Sequence, residues 1–242
     1  MKMTVVVPVR NEVDNILPLV GEINAALDGY LNYEIIYVDD GSTDGTGQLL
    51  SDLCEKLPHL RVITHRASYG QSAAIRSGVR AANAPWVATL DGDGQNDPAD
   101  IRGLWHVIED PNRPPNLWMV AGHRRDRRDS WLKRHSSKIA NGVRRRLLHD
   151  GTPDTGCGIK VFSRDAFFEL PYFDHMHRFL PALMQRAGGR IISVAVSHRP
   201  RTRGRSKYGV QNRLWVGIVD LIGVMWLQRR SRAPVEIEEC LT

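Results

Sequence analysis

Trp86-Val87-Ala88-Thr89-Leu90-Asp91-Gly92-Asp93-Gly94-Gln95 carries the reading of the fold. A short apolar and β-branched run, too short for a helix, breaks into two carboxylates separated by one glycine. Asp and Gly are turn formers, so the tripeptide alone is also ordinary strand-to-turn chemistry. It nevertheless sets two carboxylates near one point, just past a strand. Hard oxygen ligands of this kind suit Mg2+ or Mn2+, which bridge the oxygens of a diphosphate. Gln95 adds a carbonyl oxygen, so Asp91, Asp93 and Gln95 form the candidate metal set.

The same strand pattern recurs on both sides, at residues 4–9, 34–38, 60–64, 117–121, 159–162 and 191–196. Helical spacing lies between the early runs. Ile16, Leu17, Val20, Ile23 and Leu27 fall on one helix, and Pro18 predicts that this helix starts near it, because proline fits only in a first turn. Residues 71–82 and 98–108 also read as helices. Strand–helix–strand alternation predicts an α/β fold, a mostly parallel twisted sheet flanked by helices. Ligands then sit at the carboxyl ends of the strands. Those ends are Pro8-Val9-Arg10-Asn11-Glu12, Val38-Asp39-Asp40-Gly41-Ser42 and Asp91-Gly92-Asp93. Carboxylates gathered without matched cations repel, and a divalent cation would remove that penalty.

Charge divides the chain. Residues 1–110 hold 8 Lys/Arg and 16 Asp/Glu, a balance of −8; the whole chain holds 33 and 27, so residues 111–242 hold 25 and 11, a balance of +14. Within the basic half, residues 123–146 contain ten Lys/Arg against two acids, with a helical pattern over 131–148. Residues 199–213 contain six and no acid. Such runs call for an anionic partner: nucleic acid, a phosphate or a membrane surface. A nucleic-acid-binding role is a remote alternative, since the arm lacks interleaved aromatics and the acidic strand ends would repel a phosphate backbone.

Three cysteines, Cys54, Cys157 and Cys240, match neither a disulfide framework nor a zinc spacing and suit a reducing cytoplasm. The N-terminus reads as a strand, not a signal peptide, and no run reaches a membrane span. Residues 210–227 are the longest apolar stretch. Leu214, Trp215, Ile218, Leu221, Ile222, Met225 and Trp226 follow helical spacing, flanked by Arg213, Arg229 and Arg230. That pattern reads as an amphipathic helix lying at a membrane interface, or as a packed or oligomer-forming helix. The expected organisation is a catalytic domain over 1–208, the interfacial helix over 209–230 and a flexible tail over 231–242.

Taken together, Val5-Val6-Val7-Pro8-Val9-Arg10-Asn11-Glu12, Tyr37-Val38-Asp39-Asp40-Gly41-Ser42-Thr43-Asp44-Gly45-Thr46 and Asp91-Gly92-Asp93-Gly94-Gln95 resemble family 2 glycosyltransferases of the GT-A fold, in that family's order. Thr155-Gly156-Cys157-Gly158-Ile159-Lys160-Val161-Phe162, Met176-His177-Arg178-Phe179-Leu180-Pro181 and His198-Arg199-Pro200-Arg201 through Gly204-Arg205-Ser206-Lys207-Tyr208-Gly209 resemble the dolichol-phosphate mannosyltransferase-like branch. The resemblance implies a metal-dependent, inverting transfer of a sugar from GDP or UDP to a polyprenyl phosphate. It puts Pro8, Arg10, Glu12, Val38, Asp39, Asp40 and Asp91 at the nucleotide-sugar. Asp91, Asp93, Arg124, Arg134 and Arg201 carry catalysis, and Arg125, Arg134, Arg201, Ser206 and Lys207 bind the acceptor phosphate. A hydroxyl acceptor is the alternative. It would need a general base, for which Asp154 is the best candidate. The chain departs from its relatives at Ser68 and at Cys157 and Lys160. Many relatives continue into membrane helices, so a membrane-protein partner would be separate. The expected location is peripheral, at the cytoplasmic face of the membrane.

Overall fold

The computed structural model describes residues 1–124, 142, 144, 146–148, 150–200 and 210–230, with residues 210–215 described by backbone alone. The chain enters through β1 (Met3–Val9), α1 (Val13–Leu27), β2 (Tyr33–Asp39), α2 (Thr46–Lys56), β3 (Leu60–Thr64), α3 (Gln71–Ala81) and β4 (Trp86–Thr89). It continues through α4 (Asp100–Glu109), β5 (Leu117–Arg124), β6 (Lys160–Ser163), α5 (Arg164–Phe168) and a 3-10 turn (Met176–Arg178). The last elements are α6 (Leu180–Arg186), β7 (Arg190–Val196) and α7 (Val210–Arg229). Every expected run is a strand. They form one sheet in the order β3-β2-β1-β4-β6-β5-β7. Neighbours run parallel, except that β6 is antiparallel to both β4 and β5.

Successive residues of a strand point to opposite faces, and the core follows that rule. Val5, Val7 and Val9 of β1 pack with Ile35 and Tyr37 of β2 beneath α1, α2 and α4, where Ile16, Ile23, Leu50 and Trp105 meet them. Val6, Ile36 and Val38 face the other way, with Ala74, Ile75 and Val79 of α3 and, further along, Phe162, Leu183 and Val224. Burying a side chain of this size contributes about 1.5–3 kcal/mol. Contact on the second face is close. A Cβ on Gly78 would overlap Val6 and lie 3.2 Å from Val38 Cγ2, so a larger residue there would lift α3 off the sheet.

Two expectations change. The first helix begins at Val13, not near Pro18, so the proline lies in the second turn. Asp14 and Pro18 are both exposed, so the turn that lacks the proline N–H lies on the solvent side of the helix. The apolar stripe from Ile16 to Leu27 outweighs the local penalty. The C-terminal helix, expected to be amphipathic, is apolar on two sides. Val224 is buried and Leu221, Met225 and Leu227 pack inward, while Val219, Ile222 and Trp226 on the opposite side are 66%, 61% and 58% exposed. Arg186 Nε donates to the Leu227 carbonyl at 2.9 Å and pins the helix to α6. Among the described residues no helix is long and apolar enough to cross a membrane. Of the region expected to be helical over 131–148, residues 142, 144 and 146–148 are described and are helical. The expected tail over 231–242 lies outside the described residues.

Candidate active site

β1, β2 and β4 are parallel neighbours, so their carboxyl ends emerge along one edge. The link after β4 crosses the end of β1 so closely that a Cβ on Gly92 would overlap Val9 and lie 3.1 Å from the Pro8 carbonyl. Glycine between the two aspartates is therefore a condition of bringing these strand ends together. The loops after β1 and β2 are laced to each other. Asn11, in the left-handed region at φ 51°, donates its N–H to Ser42 Oγ at 2.8 Å, and its Oδ1 accepts from Thr43 N at 2.6 Å. Glu12 N donates to Thr46 Oγ1 at 3.0 Å, and Glu12 Oε2 accepts from Asn15 Nδ2 at 2.6 Å. Pro8 is half-buried and Arg10 is exposed beside this lacing.

Asp39 and Asp40 are both buried. Asp39 Oδ1 accepts from Ser42 N at 3.0 Å. Asp40 accepts from four donors: His65 Nδ1 and Ser68 Oγ, each at 2.7 Å, Tyr69 N at 2.9 Å and Gly70 N at 2.8 Å. Burial alone would raise the Asp40 carboxyl, but these hydrogen bonds outweigh it and hold the group below the usual carboxylate range. Asp40 thus orders the segment that starts α3, and Ser68 takes part. Val38 does not reach the cleft. Its side chain is fully buried beneath α3, because strand alternation turns it away from the neighbours of Asp39.

Asp91 keeps some surface exposure, yet its carboxyl lies deep in the cleft. Its Oδ1 accepts from Gln71 Nε2 at 2.9 Å, and its N–H donates to Asn96 Oδ1 at 3.0 Å. Burial pushes the carboxyl above the usual range, and Lys160, Gln71 and Arg124 pull it part of the way back. Gly158 sits directly on it, since a Cβ there would overlap Asp91 Oδ2 and lie 2.6 Å from Asn96 Oδ1. Lys160, almost wholly buried at the start of β6, donates to the Cys157 carbonyl, and burial lowers its ammonium. Asp93 Oδ1 accepts from Gln95 N at 3.1 Å. Gln95 Nε2 lies 3.5 Å from the Arg199 carbonyl, which reserves its own carbonyl oxygen as the group a cation would take. Arg199 in turn pairs with Glu22 at 2.8 Å and Asp97 at 2.6 Å, holding the chain after β7 against the Asp93–Asp97 loop.

Two carboxylates and an amide oxygen beside one glycine fit Mg2+ or Mn2+, which characteristically take one or two carboxylates and complete their shell with water and substrate phosphate. Among the described residues no group of three His, Cys, Asp or Glu side chains is placed to hold a metal ion.

On the basic side, Arg124 grips Asp154 with two hydrogen bonds, Nε to Oδ2 at 2.6 Å and Nη2 to Oδ1 at 2.9 Å. This fork-to-fork pair is largely buried. Arg125, Arg134, Arg201, Ser206 and Lys207 lie outside the described residues. Lys160, Gln71 and Asn96 surround Asp91 without having been expected there; a lysine opening an apolar strand was the available signal for the first. His177 was also unassigned. It is half-buried against Ser72, with Nδ1 2.7 Å from Ser72 Oγ, and desolvation of its ring lowers its pKa to about 3.

Residues 4–170 match the family model of glycosyl transferase family 2. The chain belongs to that family. This family 2 chain is 34% identical over 239 residues to the dodecaprenyl-phosphate galacturonate synthase of Rhizobium johnstonii, covering 97% of this chain and 69% of the relative. It is 32% identical over 211 residues to the undecaprenyl-phosphate 4-deoxy-4-formamido-L-arabinose transferase of Edwardsiella ictaluri, covering 86% of this chain and 63% of the relative. Two solved structures share the GT-A fold. The mannosyltransferase of Pyrobaculum calidifontis, in complex with GDP-Man and Mn2+, superposes with a TM-score of 0.67 at 19% identity, over 96% of this chain and 66% of that one. The glucosyl-3-phosphoglycerate synthase of Mycobacterium tuberculosis, with Mn2+ and UDP, gives 0.68 at 17%, over 94% and 79%.

Proposed function

We propose that this family 2 chain moves a sugar from a GDP- or UDP-sugar to a polyprenyl phosphate, with Mg2+ or Mn2+ held by Asp91, Asp93 and Gln95. The observation that carries the reading is the Asp91-Gly92-Asp93 turn, gathered with the loops after β1 and β2 at one sheet edge and facing the charges of Lys160 and Arg124. The curated relatives support the acceptor class, since both similar proteins are named for polyprenyl-phosphate sugar transfer. They are named for galacturonate and a formamido-arabinose, so the reading is polyprenyl-phosphate glycosyltransferase rather than mannosyltransferase in particular.

The chain's own residues then divide the work. The loops carrying Pro8, Arg10, Glu12 and Asp39 face the nucleotide, and Asp40 fixes the floor beside them. The bound divalent ion would stabilise the departing nucleoside diphosphate. Arg124, with Arg125, Arg134, Arg201, Ser206 and Lys207, would clamp phosphates; guanidinium groups suit bidentate phosphate contact, and Lys207 acts as a point charge. A phosphate monoester is already an anion near neutral pH, so its oxygen attacks the anomeric carbon as the bond to the diphosphate breaks, with inversion and without a general base. Alignment and charge then supply the rate. A hydroxyl acceptor would need a base, and both oxygens of Asp154 are committed to Arg124, which favours the phosphate. The exposed stripe of Val219, Ile222 and Trp226, with the Arg230 guanidinium 5.9 Å above the Trp226 ring, supports peripheral contact with the inner face of the membrane.

The test is a donor-by-metal screen: GDP- and UDP-sugars, Mg2+ or Mn2+, and a short polyprenyl phosphate, with lipid-linked sugar followed by mass spectrometry. The expected result is a metal-dependent product with one donor, reduced at least about 1000-fold in Asp93→Ala. Metal-dependent nucleotide binding without lipid-linked product would move the acceptor to another class. Absence of nucleotide binding would sink the reading of the strand ends.

A further inference from the structure

We infer that Lys160 is a positioning residue, a buried tether that fixes the Cys157-Gly158 turn and the Asp91 carboxylate against each other. Lysine is almost never fully buried unless paired, and Lys160 is 5% exposed. It opens β6 opposite Thr89 of β4 and Ala121 of β5, in the middle of the sheet. Its Nζ donates to the Cys157 carbonyl. One residue on, Thr89 Oγ1 donates to the Gly158 carbonyl at 2.8 Å. The turn is therefore gripped at two successive carbonyls, one from each of the two paired strands. Gly158 rests on Asp91 with no room for a side chain, so the position of the turn sets the wall against which Asp91 Oδ2 lies. Gln71 holds the other oxygen from the opposite side. The Lys160 charge also acts on Asp91 and Asp154, in a cluster that includes Arg124.

A neutral side chain of similar length would fill the space but leave the Cys157 carbonyl without its donor and Asp91 without a buried positive charge that acts on it. Asp91 would then turn away from Gly158, and the pair of carboxylates around Gly92 would lose its geometry. This consequence for turnover rests on the transfer reading above; the coupling between Lys160 and Asp91 does not.

The experiment is a double-mutant cycle on the full chain, with Lys160→Met, Asp91→Asn and the two combined, read first by thermal unfolding. Lys160→Met is expected to lower the midpoint by roughly 10 °C, as removing a buried charged donor from its carbonyl does. In the Asp91→Asn background the same change should lower it by less than half as much, because the uncompensated charge is gone. Equal drops in the two backgrounds would overturn the inference. Turnover is read second. Folded Lys160→Met should lose about 100-fold in kcat, with the donor KM within about threefold, and Lys160→Arg should recover part of it. Unchanged kcat in Lys160→Met would also overturn it. If the wild-type chain transfers no sugar to polyprenyl phosphate, the transfer reading fails, while the thermal cycle still decides the role of Lys160.

Discussion

The edge built by β1, β2 and β4 and the edge built by β5 and β6 both hold charge in the same cleft, by opposite means. On the first edge, carboxylates are held largely by backbone N–H groups and hydroxyls. Asp40 takes two backbone N–H groups and Ser68 as well as His65, Asp39 takes Ser42 N, and Asp44 takes the N–H and hydroxyl of Thr46. On the second edge, charge is held by charge: Arg124 with Asp154 and, in the chain between them, Arg144 with Asp150. A carboxylate held by many neutral donors keeps most of its support when one donor is lost. A buried ion pair does not, since removing one partner strands the other.

The largest expected effect therefore falls on the second edge. Arg124→Met should cost about 3–5 kcal/mol in urea unfolding, while adding Asp154→Asn to that variant should cost much less or restore stability. A double variant as unstable as the sum of its parts would break the comparison. On the first edge, Asp40→Asn keeps one acceptor oxygen for its several donors and should cost about 2 kcal/mol, by the same unfolding measurement. A loss as large as that of Arg124→Met would remove the distinction between the edges.

His177, a half-buried ring held on Ser72, sharpens it further. Its ring binds a proton near pH 6.5 when unfolded and only near about 3 when folded. The unfolded state therefore holds the extra proton between those values, and stability present at neutral pH is lost as pH falls below 6.5. Between pH 7 and pH 5 this residue should account for roughly 1 to 2 kcal/mol, absent from the pH-dependence of His177→Gln. The smallest effect is expected far from both edges. Lys2 and Glu109 pair at 3.0 Å with side chains 60% and 44% exposed, and Lys2→Ala should change unfolding stability by about 0.5 kcal/mol or less.

The two edges also differ in how much of them could be read from residues alone. Strands and acidic strand ends leave local marks: β-branched runs of fixed length, then Asp and Gly. The strand bounds followed those marks to within three residues, and β3 matched at both ends. What escaped depended on contacts across the fold. Val38 stands next to Asp39 in sequence, but the pleat sends it into the core. Pro18 gave a local stop signal that the long apolar stripe of α1 overrode. Lys160 stands out in its apolar run, but its partner, the Cys157 carbonyl, and its place beside Thr89 show only once β6 is laid against β4. The apolar outer side of the last helix became visible only once its inner side was seen to be occupied by α6 and its neighbours.

The reversed strand β6 has one more consequence. Where its neighbours β4 and β5 deliver their last residues to the cleft, β6 delivers its first, and Lys160 stands beside Thr89 and Ala121 for that reason. The chain can thus make a long excursion after β5, through the residues richest in positive charge, and still return to the point it left. Both ends of that excursion are anchored in adjacent strands of the same sheet, so where it leaves and where it returns are set together. A single reversed strand thereby returns Gly158, which must stay bare of a side chain, to its place against the carboxylate just past the end of β4.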